Sequence, residues 1–368
     1  MNFICEKNKL VEALSNVQKA VSQKSTIAAL EGVLISTKEN NLEICAYNTE
    51  LGIKTFIPAK IKKGGKIVLN AHLFTDIVRK LPNDSAEINI SENLIAKITS
   101  GRSSFELIGI DASEFPSLPN VENADCIELP VVTLKSMIKQ TIFAVADTDS
   151  KPVHTGTLFE IKEKNITLVS VDGYRLAMRT EKIKEDMELS FVVPGKTLRE
   201  VIRLLPENED NVKISAGMQH IVFYIGDYIV VSRLLDGEFL DYKSTIPEKS
   251  KFTVQVDTKN LIDSVERVSL LITDRLKSPV RCMFTNNRIH MSCITTIGKA
   301  SDEIETKSDI KDEIEIAFNN KYMLDALKNS DCDEMLICLN GPLNPIKIMP
   351  KTGNSFLFLV LPVRVKPE

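Results

Sequence analysis

Val192-Val193-Pro194-Gly195-Lys196-Thr197-Leu198-Arg199-Glu200-Val201-Ile202-Arg203-Leu204-Leu205-Pro206 occurs, altered, at two other places in the chain. The earlier copy is Val68-Leu69-Asn70-Ala71-His72-Leu73-Phe74-Thr75-Asp76-Ile77-Val78-Arg79-Lys80-Leu81-Pro82, and the later one is Phe318-Asn319-Asn320-Lys321-Tyr322-Met323-Leu324-Asp325-Ala326-Leu327-Lys328. With Asn70, Pro194 and Asn319 in register, the offsets are 124 and 125 residues. In each copy a short apolar run enters an amphipathic helical pattern.

The repeat extends beyond this segment. Leu10, Leu134 and Leu261 open three further amphipathic segments at nearly the same interval, followed by apolar or small residues at helical spacing: Leu14, Val17 and Val21; Ile138, Thr141 and Val145; Val265, Val268 and Ile272. Asn41, Asn165 and Asn287 then fall in the turns of three strand pairs. The order in each copy is helix, hairpin, strands, helix, hairpin. A period this long is the size of a whole domain, so the chain reads as a folding unit present three times. The boundaries are expected at 1–124, 125–248 and 249–368.

Composition agrees with this division. A chain of 368 residues, 43% hydrophobic and 26% charged, is too long for one core and suited to two or three. No apolar run reaches the roughly 18 residues of a membrane span, and Met1-Asn2-Phe3-Ile4-Cys5 leads into Glu6 and Lys7 rather than a signal-peptide core, so no membrane role and a cytoplasmic location are expected. Seven scattered cysteines without a Cys-x-x-Cys pair nominate neither a disulfide framework nor a zinc site.

Two linkers separate the copies. Asp111-Ala112-Ser113-Glu114-Phe115-Pro116-Ser117-Leu118-Pro119 ends the first, and Asp236-Gly237-Glu238-Phe239-Leu240-Asp241-Tyr242-Lys243-Ser244-Thr245-Ile246-Pro247 ends the second, each with Asp, Glu-Phe and a closing Pro. Within the first copy, strand Asn2 to Cys5 is followed by a helix from Lys7 to about Val21, a strand pair, strand Lys66 to Asn70, the second helix and two further strand pairs. The third copy closes on an apolar tail, Phe356-Leu357-Phe358-Leu359-Val360-Leu361-Pro362-Val363-Arg364-Val365, readable as a buried strand or an adhesive edge. The expected class is α+β: three repeated domains, each with two helices and antiparallel sheets, the helices gathered on one side.

Charge repeats with the fold. The second helices align His72, Lys196 and Lys321 in one column and Arg79, Arg203 and Lys328 in another, seven residues on and therefore on the same helical face. Lys80 and Arg199 stand beside these columns, and the first helices add Lys135, Lys139, Lys259 and Arg267. One basic helix face is ordinary solvated surface, but recurrence in all three copies of a chain whose net charge is -4 suggests a polyanion passing along one face. No aromatic residues interleave these cations, so stacking of single-stranded bases is not expected. Without a recognition helix or zinc finger, contact should be with phosphates, independent of sequence.

Catalytic signatures are missing. Gly195-Lys196-Thr197 looks like the end of a phosphate-binding loop, but Ser190 stands where its first glycine is required. His72, His154, His220 and His290 lack metal-ligand spacing, and no Gly-x-Ser-x-Gly elbow occurs. Asp147-Thr148-Asp149 is read as a loop. Neither an enzyme nor a cofactor or metal is indicated.

Ser170-Val171-Asp172-Gly173-Tyr174-Arg175-Leu176-Ala177, taken with the triplication, both linkers and the terminal Leu361-Pro362-Val363-Arg364, resembles the bacterial DNA polymerase III β-subunit family of sliding clamps over the full length. The resemblance implies domains of the DNA-clamp type assembling as a ring: a head-to-tail homodimer whose six domains place helices inside and sheets outside around double-stranded DNA. It makes the basic columns the DNA-facing surface, joined by Lys24 at a loop position where the family often has arginine. It also implies a cleft where the replicative polymerase catalytic subunit, the clamp loader and other proteins carrying clamp-binding peptides dock. Positions matching that cleft are Thr155, Val171, Gly173, Tyr174, Arg175, Leu176, Leu240, Thr245, Tyr322, Pro345, Leu359, Leu361, Pro362, Val363 and Arg364. His154 replaces an aliphatic residue there, and Lys151-Pro152-Val153-His154 lacks the aromatic residues that some members place against DNA. Ring closure would set Lys97, Arg102, Phe105 and Leu107 of the first domain against Leu271, Ile272, Asp302, Glu303 and Glu305 of the third. A peptide-binding scaffold that never surrounds DNA is the alternative of another class.

Overall fold

The computed structural model describes residues 1–121, 125–148, 151–207, 210–273, 275–276, 278–308, 310 and 313–364. Six α-helices lie among them: α1 (Lys7–Val17), α2 (Ala71–Lys80), α3 (Val131–Ile142), α4 (Gly195–Leu204), α5 (Thr258–Ser269) and α6 (Asn320–Lys328). They come two to a repeat, so each repeat is an α+β domain with antiparallel sheets.

The aligned residues of the repeated stretch are the ones that start its helices. Asn70 caps α2 by accepting a hydrogen bond from the Leu73 amide at 3.0 Å, and Asn319 caps α6 by accepting from the Lys321 and Tyr322 amides at 2.9 and 3.4 Å. In the middle copy Pro194 holds that position and Gly195 follows. A Cβ on Gly195 would come within 2.9 Å of Val145 Cγ1 and 3.1 Å of the Thr155 carbonyl. This glycine therefore serves close packing, and the Thr197 hydroxyl is 2.7 Å from that of buried Ser232, so the triplet is no phosphate loop.

The first helices are about one turn shorter than their apolar spacing suggests. Val21, Val145 and Ile272 lie beyond the ends of α1, α3 and α5. Each donates its amide three residues back, Val21 to Gln18, Val145 to Ile142 and Ile272 to Ser269. These tighter turns carry the apolar side chain onward without extending the α-helix. In the hairpins, Asn41 and Asn165 open a strand, and Glu39, Glu163 and Lys164 take the left-handed turn positions; only Asn287 does so itself. After α2 the chain forms a three-strand meander, Ser85–Ile90, Ile95–Ser100 and Ser103–Ile108, in place of two strand pairs.

By compactness the chain divides into two units that cut through the second repeat. One comprises Met1–Val132 with Lys196–Leu234, and the other Thr133–Gly195 with the chain from Leu235 onward. The cause is strand pairing across repeats. In the first unit the 13-residue strand Leu51–Lys63, which has no counterpart in the sequence reading, pairs at one end with Asn2–Glu6 and at the other with Tyr228–Arg233 of the second repeat. The result is a twelve-stranded sheet.

In the second unit Arg175–Lys182 pairs antiparallel with Phe356–Val360, setting Arg175 opposite Val360 and Leu176 opposite Leu359 within an eight-stranded sheet. All five residues of Phe356–Val360 are buried. The apolar tail is thus an internal strand. Phe358 packs edge-on to Phe143 at 5.3 Å and stacks with Phe356 at 4.7 Å, inside a core that α5 and α6 cover with Leu261, Val265, Met323 and Leu327. Phe358→Ala should lower the unfolding free energy by about 3–5 kcal/mol, read as a lower denaturant midpoint at unchanged slope.

Candidate functional site

The turn Asp172-Gly173-Tyr174-Arg175 organises the apolar cleft of the second unit. Gly173 sits at φ +86°, a conformation that L side chains rarely adopt. The Asp172 carboxylate closes the turn, accepting from the Tyr174 and Arg175 amides at 2.9 and 3.0 Å and from Arg175 Nε at 2.9 Å. The same guanidinium donates to Asp325 on α6 at 2.5 Å and lies 4.7 Å from the Tyr322 ring centroid. Its side chain is 9% exposed. Arg175 is therefore the joint between turn and helix, beneath the cleft surface.

Above it Tyr174, 61% exposed, stacks on Tyr322 at 5.8 Å. Burial, followed by the charge of Asp172, raises the Tyr322 hydroxyl above its ordinary pKa, so it stays neutral at physiological pH. The Tyr174 carbonyl accepts from the Leu361 amide at 2.9 Å, and the Val363 amide donates to Ala317 at 2.7 Å, which draws the terminal segment over this corner. Two hollows flank it. One, of about 780 Å³, is lined by Ile272, Pro279, Lys321, Tyr322 and Val363; the other, of about 490 Å³, by Pro152, Val153, Phe239 and Leu240.

The remaining expected cleft residues share this unit. Val171, Leu176 and Leu359 are buried. Leu176 and Leu359 join a cluster with Val153, Tyr242 and Leu357. Gly173, Leu240, Thr245, Leu361, Val363 and Arg364 are exposed, and Thr155, Pro345 and Pro362 are half-buried. The Thr155 hydroxyl donates to the Pro152 carbonyl at 2.7 Å, and that of Thr245 to Tyr242 at 2.7 Å. His154 meets Phe239 edge-on at 5.9 Å.

Sequence reasoning missed several supporting residues. Lys347 is buried against the second linker and donates to the Pro247 carbonyl at 3.1 Å. Tyr242 and Lys243 of that linker both donate to Glu160, at 2.8 and 2.9 Å. Burial acts to raise the Glu160 carboxyl, but these two hydrogen bonds together with the charges of Lys243 and Lys162 outweigh it and hold the group below its usual pKa. Asp172 was visible as the Asp-Gly turn signal. Asp325 occupies the same register as Asp76 and Glu200, an acidic column that the basic ones obscured.

His72, Lys196 and Lys321 are exposed, as are Arg79, Lys80, Arg199, Arg203 and Lys328 on the second helices. Lys24, Lys139 and Lys259 are exposed, and Lys135 is half-buried. Arg267 is turned to a sheet edge, donating to Asp302 at 3.0 and 2.5 Å. That contact joins a residue expected to face DNA with one expected at a subunit interface. Among the described residues no group of side chains could hold a metal ion and no helix is long and apolar enough to cross a membrane. Asp149 of the dismissed acidic loop lies outside the described residues.

Models of the N-terminal, central and C-terminal domains of the DNA polymerase III beta subunit match residues 1–119, 128–241 and 243–364. The chain belongs to that family. It is 34% identical over 376 residues to the beta sliding clamp of Bacillus subtilis, covering 99% of this chain and all of that one. The beta sliding clamp of Staphylococcus aureus is 30% identical over 374 residues, 99% of each chain. The crystal structure of the Bacillus subtilis DNA polymerase sliding clamp superposes with a TM-score of 0.96 at 32% identity, with both chains fully covered. A putative DNA polymerase III beta subunit from Eubacterium rectale does so at 0.94 and 34%, over 99% of this chain and all of that one. The function is that of a sliding clamp in DNA replication, and the three domains are clamp domains.

In this clamp chain, Arg175→Ala would leave Asp172 and Asp325 without their shared cation. The expected cost is about 3 kcal/mol of stability, read by urea denaturation, and Arg175→Lys should recover little of it because one ammonium cannot reproduce the planar fork.

Proposed function

We propose that two copies of this chain close head to tail into a ring around double-stranded DNA, with three domains per chain at 1–124, 125–248 and 249–368. The subunit is non-catalytic and works in the cytoplasm without a cofactor. Its contact with DNA is through phosphates, from Lys24 and the cations of the helices. Its cleft tethers the polymerase catalytic subunit, the clamp loader and other proteins that carry a clamp-binding peptide, raising their effective concentration at the DNA.

The observation that carries this reading is the basic columns. All six column residues keep the same spacing from the start of their helices and all six are exposed, in a chain with net charge -4. Two open sheet edges support closure. Among the described residues Ser103–Ile108 pairs on one side only and exposes Phe105, Glu106 and Ile108, with Lys97 and Arg102 exposed nearby and Leu107 half-buried. Gly298–Glu305 also pairs on one side only, with Glu303 and Glu305 exposed and Asp302, Leu271 and Ile272 half-buried. Unpaired edges in the first and third repeats, the third acidic and the first with Lys97 and Arg102 beside its own Glu106, suit a heterologous contact made twice.

The same protein can test whether DNA is encircled or the cleft acts alone as a scaffold. After loading, the wild type should persist on closed circular DNA and leave when the circle is cut. Combining Arg79→Glu, Arg203→Glu and Lys328→Glu should reduce loading at low salt roughly tenfold or more, with peptide affinity changed by less than about twofold. Equal loss of the wild type from closed and cut circles would favour the scaffold.

A further inference from the structure

The side chains of the two columns differ in one respect. His72, Lys196 and Lys321 have no ion pair among the described residues, whereas Arg79, Arg203 and Lys328 each have a carboxylate partner. Arg79 lies 3.5 Å from Asp76, and Arg203 donates to both Glu200 oxygens at 2.8 and 2.9 Å. Both acids come from the register that Asp325 holds in the third copy.

Pairs three residues apart on a helix surface are common and alone mean little. The third copy makes the pairing informative. Asp325 is drawn away to Arg175, and the cation it would have served takes a different acid, Glu266 on α5, at 2.6 Å. The column thus keeps its partner although the source changes from the same helix to a neighbouring one. In the first copy Ser15, at the position of α1 equivalent to Glu266, accepts a hydrogen bond from Arg79 at 3.4 Å.

We propose that Asp76, Glu200 and Glu266 temper the DNA-facing cations so that the duplex slides past them instead of being held. The proposal rests on the encirclement reading and adds a role for acids that the reading does not use. A phosphate reaching Arg203 meets a guanidinium already engaged by a carboxylate, and it must displace or share that partner. Because the pairs are exposed, each alters a contact equilibrium only by a factor of roughly 1.4 to 5. This is the scale required to weaken a transient grip without abolishing attraction. Lys196 and Lys321 of the unpaired column supply steering, and the paired column limits how long any phosphate is retained.

The test is one-dimensional diffusion of loaded, fluorescently labelled clamps along stretched duplex DNA, comparing the wild type with the triple change Asp76→Asn, Glu200→Gln and Glu266→Gln. The expected result is retention on closed circles equal to that of the wild type, with diffusion slowed roughly threefold or more and a steeper dependence on salt. Asp76→Asn and Glu266→Gln, at the two more exposed acids, should each slow diffusion measurably if the triple variant folds poorly, and Asp76→Glu should restore the wild-type rate. Unchanged or faster diffusion with retention intact would overturn the proposal alone. Loss of the wild type itself from closed circles would overturn the encirclement reading and this proposal with it.

Discussion

Backbone pairing between Arg175–Lys182 and Phe356–Val360 makes one sheet out of two repeats, and the cleft depends on it. The register sets Leu176 opposite Leu359 and Arg175 opposite Val360. Side chains alternate between faces, so a one-residue slip of Phe356–Val360 would send Leu359 into the helix-covered core and bring Phe358 out. The edge-on packing of Phe358 against Phe143 opposes such a slip. The linker after the second repeat lies on the same face, fixed by Tyr242 and Lys243 to Glu160 and by Lys347 to Pro247.

Helix α6 belongs to both functional surfaces although it has only nine residues. Tyr322 and Asp325 face the Asp172 turn, and Lys321 and Lys328 are exposed to solvent. The Asn319 cap fixes where the helix starts and so which residues fall on each side. Diversion of Asp325 to Arg175 has a cost to the charged face, which Glu266 offsets. Positive charge on these helices is therefore divided between cations open to solvent, Lys196 and Lys321 among them, and the partnered Arg79, Arg203 and Lys328.

Much of this was legible in the chain because a repeated segment reports its own alignment: Asn70 and Asn319 match because both cap helices, and the exposed cations follow at fixed distances. The Asp-Gly pair marked the turn for a local reason, the backbone angle that glycine allows. What stayed hidden was long-range. Leu51–Lys63 contains Pro58 and several lysines, so its alternation is weak, and its partners lie in two different repeats. The fate of the apolar tail depended on a strand roughly 180 residues earlier in the chain, which no local pattern discloses. Arg175 matched the cleft by motif, yet its engagement by Asp172 and Asp325 required the fold to bring α6 to the turn.

The central claim, a closed ring of two chains, is tested most directly by light scattering combined with small-angle X-ray scattering on the purified protein. A ring of two chains has a mass twice the 41.1 kDa of the chain and a scattering profile with a central hole wide enough for duplex DNA. A compact monomer at micromolar concentration would contradict it.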